Sequence, residues 1–286
     1  MRIDLHAHST ASDGTDPPAE VMRHAAAAGL DVVALTDHDT VGGWTEAAAA
    51  LPAGLTMVPG AELSCGLRGP AGLTSLHMLA YLFDPDAEPL ATEREAVRTD
   101  RDRRAAVMVE RLRELGAPVE LGRVRQLAAG GSVGRPHVAR AMVEAGVVPD
   151  VSSAFTEDWI GSGGRAYVEK RCLDPLEAVR LVADAGGVSV VAHAGAATRG
   201  GPIADDVLAA MAEAGLTGLE VDHPDHDGST RVRLRGLAGE LGLVPTGSSD
   251  DHGTLTGRRL GVNLTAPECW AALRDRATGA TPVVAG

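Results

Sequence analysis

Two hydrophobic rhythms alternate along this chain. Short apolar runs that stop abruptly at polar residues read as strands, and stretches with apolar residues returning every three or four positions read as amphipathic helices. Arg2 to Leu5 is a short strand. Pro17-Pro18 opens a helix through Ala28 that places Val21 and Ala25 on one face and stops at Gly29. Leu30 to Leu35 is an apolar strand running into Thr36-Asp37-His38-Asp39. An alanine-rich helix at Trp44 to Leu51 follows, then a strand at Met57-Val58 ending near Glu62. After a Gly/Pro turn at Gly66 to Gly72, Leu73 to Phe83 is a further strand. Alternation of this kind predicts a largely parallel α/β fold.

From about Asp84 to Arg165 the strand rhythm disappears. Helices are predicted at Glu93 to Leu115, where Met108, Leu112 and Leu115 share a face, and at Val119 to Ala128, Pro136 to Ala145 and Val151 to Trp159. The Glu93–Arg113 charge run reads as a solvated helix with pairs one turn apart. After Gly164 the α/β rhythm returns. Helices at Pro175 to Ala185, Ala204 to Ala214 and Ser229 to Leu241 alternate with strands ending at His193, at His223 and in Ser249-Asp250-Asp251-His252-Gly253. There is no internal repeat. The domain reading is a barrel-forming body at 1–88 and 165–286, interrupted by a helical insertion at 89–164.

Composition narrows this picture. A chain of 286 residues fits one α/β domain carrying an insertion, and 44% hydrophobic residues exclude wholesale disorder. No apolar run approaches the ~20 residues that span a bilayer, and no signal region opens the chain. The net charge of -13 argues against a long nucleic-acid track. The insertion departs from that acidity: residues 89–165 hold twelve arginines and eleven acids. Cys65, Cys172 and Cys269 are too few and scattered for a disulfide framework, so a reduced cytoplasm is the expected compartment. Lys170 is the only lysine, and ten histidines outnumber the seven Phe, Trp and Tyr residues together.

Those histidines fall where strands end. His6 and His8, Asp37 and His38, Glu62, His193, His223, then Asp250 and His252 all follow apolar strand segments. In a parallel barrel such positions gather at one rim. His6 and His8 point to one side of an extended segment, as do Asp250 and His252. Imidazoles and carboxylates converging on one mouth describe a site for Zn, Mn or Fe.

The residues that carry this chemistry also carry a resemblance. Asp4-Leu5-His6-Ala7-His8-Ser9-Thr10-Ala11-Ser12-Asp13-Gly14 is similar to the opening motif of the PHP (polymerase and histidinol phosphatase) superfamily. Thr36-Asp37-His38-Asp39, Gly60-Ala61-Glu62, His77-Met78-Leu79-Ala80-Tyr81, Val191-Ala192-His193 and Ser249-Asp250-Asp251-His252-Gly253 follow in that family's order. Gly134-Arg135-Pro136-His137-Val138-Ala139-Arg140 resembles the subgroup of stand-alone phosphoesterases acting on 3',5'-bisphosphonucleotides and short RNA ends. The resemblance implies a distorted (β/α)7 barrel with three divalent metals at the strand ends. His6, His8, Glu62 and Asp250 would hold the first, and Glu62, His77 and His193 the second. Asp13, His38 and His252 would hold the third. Asp37 and Asp39 are expected to orient ligand histidines. Two departures stand out: His193-Ala194-Gly195 where the family usually has His-Pro-Gly, and Asp251 where an aromatic is common, which would add a carboxylate near the mouth.

The expected reaction is hydrolysis of a phosphomonoester on a small nucleotide, foremost the 3'-phosphate of adenosine 3',5'-bisphosphate, with a metal-bridging hydroxide as nucleophile. His193, Asp250 and His223 are the candidate catalytic groups, and proton delivery stays open between His193, His223 and a metal-bound water. Arg135 offers a planar fork suited to phosphate oxygens and starts a helix, so Arg135 and His137 are the candidate phosphate contacts. Capping of that helix is the competing role for His137. His223 could line the substrate pocket. The competing activities are 5'-3' exonucleolytic trimming of short RNA, a histidinol-phosphate-type phosphatase, and a non-catalytic metal-binding module.

Overall fold

The computed structural model describes residues 1–69, 72–196 and 202–285. Seven strands lie side by side in chain order: β1 (Ile3–Asp4), β2 (Val32–Leu35), β3 (Thr56–Gly69), β4 (Gly72–Tyr81), β5 (Val188–Val191), β6 (Gly218–Asp222) and β7 (Val244–Gly247). An eighth, β8 (Val283–Val284), pairs with the start of β3. The two edges of the sheet approach through a parallel bridge between Ala7 and Asp251, and His8 N donates to the Asp251 carbonyl at 2.8 Å. The result is a nearly closed α/β barrel.

Strand alternation explains its layers. On β2, Val32 and Ala34 face the barrel interior with Ile3, Leu5, Val58, Tyr81 and Val190. Val33 and Leu35 face outward and pack with Val21, Met22 and Ala25 of helix α1 (Pro18–Ala27) and Ala47 of α2 (Trp44–Ala49). The far side is covered by α6 (Pro175–Asp184), α7 (Asp205–Glu213) and α8 (Gly228–Leu241), and α9 (Pro267–Arg274) places Trp270 with the interior residues. Asp174 and Asp227 cap α6 and α8 by accepting backbone N–H bonds.

The sheet is largely parallel, as expected, but its direction is not uniform. β3 does not end near Glu62; it continues through Gly66 to Gly69 and turns back as β4, so β3–β4 and β4–β5 are antiparallel. Gly66 is therefore strand, and residues 70 and 71 of the expected turn lie outside the described residues. A hairpin needs no crossover helix, and for that reason the α/β alternation is missing there.

The insertion comprises α3 (Glu88–Glu114), α4 (Leu121–Leu127) and α5 (Arg135–Glu144). It owns a separate apolar cluster running from Ala105 to Val168, with Met108, Leu112, Val138 and Met142 at its centre. The helix expected at Val151 to Trp159 is a single 3-10 turn at Ser152–Ala154. There Asp150 accepts bonds from the Ser152 hydroxyl and from both the hydroxyl and the backbone N–H of Ser153. Such side-chain bonds compete with helix continuation. Nor is α3 simply solvated. Arg94 lies over the Phe83 ring, and Arg104 gives Nε and Nη2 to the Val168 carbonyl, because this helix leaves the barrel flank and enters the insertion core. Among the described residues, no helix is long and apolar enough to cross a membrane.

Candidate metal centre

β1 and its following loop bring His6, His8 and Asp13 to one mouth of the barrel, and the residues after β2 bring His38. β3 and β4 bring Glu62 and His77 from opposite strand directions. The loops after β5, β6 and β7 add His193, His223, Asp250 and His252. Glu62 is the hub. Its Oε2 lies 3.3 Å from His6 Nε2, 3.1 Å from His8 Nε2 and 3.2 Å from His38 Nδ1. Its Oε1 lies 2.9 Å from His77 Nδ1 and 3.0 Å from His193 Nε2. Asp250 Oδ1 stands 3.3 and 3.4 Å from the same His6 and His8 nitrogens. Asp13 closes the other side, 3.7 Å from His38 Nε2 and 3.4 Å from His252 Nε2.

These contacts are ligand-like. Glu62 Oε2, His38 Nδ1 and His77 Nδ1 are buried and make no hydrogen bond of acceptable geometry, although neighbours stand close by. Burying polar atoms unsatisfied costs on the order of 1–3 kcal/mol each. A cation between them removes that cost, and mixed imidazole and carboxylate donors suit divalent transition metals. Ligand atoms of His8, Asp13, His38 and His252 fall within 4.8 Å of one another, as do those of His6, His8 and Asp250 and those of His38, Glu62 and His77. The donor set fits metal ions.

Electrostatics follows from the crowding. Burial alone would raise the Glu62 and Asp13 carboxyls, but the surrounding imidazoles hold both well below the ordinary carboxylate range. Burial pushes His77 down to about 4 against the pull of Glu62. His252 Nδ1 lies 3.1 Å from the Asp250 carbonyl, which leaves Nε2 facing Asp13. His223 Nδ1 accepts from Asp225 N at 3.0 Å, so its proton sits on Nε2, 3.3 Å from Asp250 Oδ2. Asp37 accepts from Ser9 and Ser12 and braces the Asp13 loop rather than a histidine.

The PHP domain model matches residues 4–89. Across 266 residues the chain is 32% identical to the 3',5'-nucleoside bisphosphate phosphatase of Chromobacterium violaceum, covering 90% of this chain and 89% of that protein. It is 31% identical to a 5'-3' exoribonuclease of Haemophilus influenzae, covering 92% and 94%. The crystal structure of a protein described as a metal-dependent phosphoesterase from Bifidobacterium adolescentis superposes with a TM-score of 0.89 at 35% identity, covering 96% of both chains. The chain belongs to the PHP family. It is a metal-dependent phosphoesterase.

Around the centre of this PHP barrel lie several residues that no strand-end pattern marks. Arg101 of α3 reaches the barrel mouth, donating from Nε to Asp39 Oδ2 at 2.8 Å and from Nη2 to Ser64 Oγ at 2.7 Å. Asp39 therefore serves the insertion contact and Ser64, not a ligand histidine. Lys170 Nζ lies 3.2 Å from His77 Nε2, and burial, reinforced by Arg101, brings its ammonium down to about 8. Its being the sole lysine was the one available signal. Glu220, inside β6, is fully buried against His6 and His193.

The two candidate phosphate contacts differ. Arg135 stacks over Phe155 and Tyr167, gives Nη1 to the Ile160 carbonyl, and shares a small cavity with Arg101 and Arg104. His137 is 1% exposed, and its Nδ1 accepts from Gly134 N at 3.0 Å, which is the capping arrangement. Asp251 departs from expectation. It is buried and accepts from the backbone N–H groups of Gly253 and Arg259, so it ties down its own loop instead of adding charge to the mouth. His226 takes Gly195 N on Nε2, fixing the loop that carries His193 without the usual proline.

Proposed function

We propose that this PHP phosphoesterase hydrolyses a phosphomonoester of a small nucleotide, foremost the 3'-phosphate of adenosine 3',5'-bisphosphate. The observation that carries this reading is the pairing of an anion-rich ligand cluster with a cationic flank. Arg101 and Lys170 stand at the mouth, and Arg135 stands beside Arg101 in an otherwise acidic chain. The C. violaceum relative supports the bisphosphate substrate.

In this reading three metal ions, Mn, Fe or Zn, are bound. His6, His8, Glu62 and Asp250 hold the first, Glu62, His77 and His193 the second, and Asp13, His38 and His252 the third. When bound, they supply a water of lowered pKa as nucleophile and neutralise the phosphoryl oxygens. The chain's own residues do the rest. Glu62, with Oε2 toward His6 and His8 and Oε1 toward His77 and His193, would be a ligand of both the first and the second. His223, fully buried with Nε2 toward Asp250, orients that carboxylate. The insertion (89–164) acts as the cap that holds the substrate's far end, with Arg135 as the phosphate fork.

The test is phosphate release from nucleoside 3',5'-bisphosphates, short 5'-phosphorylated RNA and histidinol phosphate, with elemental analysis of the same sample. Preference for the bisphosphates is expected; preference for RNA transfers the assignment to exonucleolytic trimming, like that of the H. influenzae relative. Arg135→Ala should raise KM for the bisphosphate roughly 10- to 100-fold, the worth of a charge-assisted hydrogen bond. Arg135→Lys should recover only part of it. An unchanged KM removes Arg135 from the phosphate site.

A further inference from the structure

Glu220 lies in β6, between Leu219 and Val221, which face the outer helical layer. The alternate phase points Glu220 into the barrel, directly beneath the mouth, where it is 0% exposed. Three groups converge on its two oxygens. His6 Nδ1 is 3.1 Å from Oε1, and the Ser248 hydroxyl donates to the same oxygen. His193 N donates to Oε2 at 2.6 Å. His193 has φ of +32°, a region that a side chain with a Cβ enters only at a cost of about 1–3 kcal/mol. The bond to Glu220 anchors that backbone.

We propose that Glu220 is a positioning residue that couples two of the proposed metal subsites. One carboxylate sets the tautomer of His6, so that Nε2 rather than Nδ1 presents a lone pair to the mouth, and it clamps the strained backbone carrying His193. Imidazole ligands owe their orientation to the partner of their second nitrogen. Here that partner, on β6, also secures a ligand that follows the neighbouring strand β5, while His6 lies two strands away on the other side, across β7 and the bridge that joins the barrel edges.

The donor count makes Glu220→Gln decisive, because the side chain keeps its shape and loses one acceptor. If the new amide group faces His193, two N–H groups oppose each other and the His193 loop must move. If it faces His6 and Ser248, His6 must accept on Nδ1 and carry its proton on Nε2, toward the ligand cluster. Either orientation damages one subsite.

The inference rests on the metal assignment but not on the nucleotide substrate, and its test needs no turnover. Titration of the metal-free protein with Mn2+ should show affinity roughly 10- to 100-fold weaker in Glu220→Gln than in the parent chain. Loading identical to the parent overturns the proposal, whereas a parent chain that takes up no metal overturns the metal assignment itself. Because the variant could fail to fold, a second measurement uses the unaltered, metal-free chain. Nitrogen-15 spectra of its imidazoles, recorded at a pH where His6 is neutral, should show the remaining His6 proton on Nδ1, and that proton on Nε2 overturns the proposal without any variant.

Discussion

In the barrel mouth, one carboxylate, Glu62, has five imidazole nitrogens within 3.3 Å, and part of that crowd makes no proper hydrogen bond. In the insertion, a buried arginine such as Arg104 places two of its N–H groups on a single backbone carbonyl. Both regions bury charge, but Arg104 meets a conventional partner, whereas Glu62 Oε2, His38 Nδ1 and His77 Nδ1 at the mouth do not. The insertion has its own apolar cluster, while the mouth gathers imidazoles and carboxylates in an arrangement that suits metal ions. Charge that is buried and hydrogen-bonded reads as structure, and charge that is buried and merely crowded reads as a binding site.

Three substitutions sharpen the contrast, beginning with the most severe. Glu62→Ala removes the hub, so turnover should fall by about a thousandfold or more and the metal content measured by elemental analysis should drop with it. Turnover within tenfold of the parent would mean that the mouth is not the reacting centre. Leu112→Ala opens a void in the insertion's apolar cluster and should cost roughly 2–5 kcal/mol, read as a lower midpoint in thermal unfolding. Metal content should hold, and a coincident loss of metal would show that the two regions are not separate after all. The smallest effect belongs to Arg123→Ala, which breaks an exposed pair with Glu144. No change in thermal midpoint or turnover is expected; a clear drop in either would give the surface of the insertion a role that its geometry does not show.

Much of the cluster was readable because its residues obey position: His6, His8, His38, His193 and His252 follow apolar runs, and a barrel turns such endings into one rim, whereas His77 sits inside β4. Glu220 escaped because it sits inside a strand, where a lone acid looks like ordinary alternation. Its inward phase was readable only by assigning Leu219 and Val221 to the helical layer first. Arg101 and Lys170 escaped for a different reason. They come from the insertion and its return segment, and no local pattern says which turn of a long charged helix meets the barrel. The direction of β4 was also hidden, since apolar alternation is the same for either sense of the chain.

That reversed strand shapes the rest of the molecule. β4 runs away from the mouth and leaves the chain at the barrel floor, where Asp84 N donates to the Ala185 carbonyl just before β5 begins. The 27 residues of α3, about 40 Å of helix, climb back. The chain thus leaves the barrel wall at Arg101, on Ser64, and rejoins it at Lys170, on His77, and Ser64 and His77 are partners across the β3–β4 ladder. Between those crossings the insertion is fastened once more, where Ser132 N donates to the Ala11 carbonyl at 2.9 Å on the loop between His8 and Asp13. A PHP barrel built this way carries its insertion as a bracket, fastened both on the β3–β4 ladder and on the loop after β1.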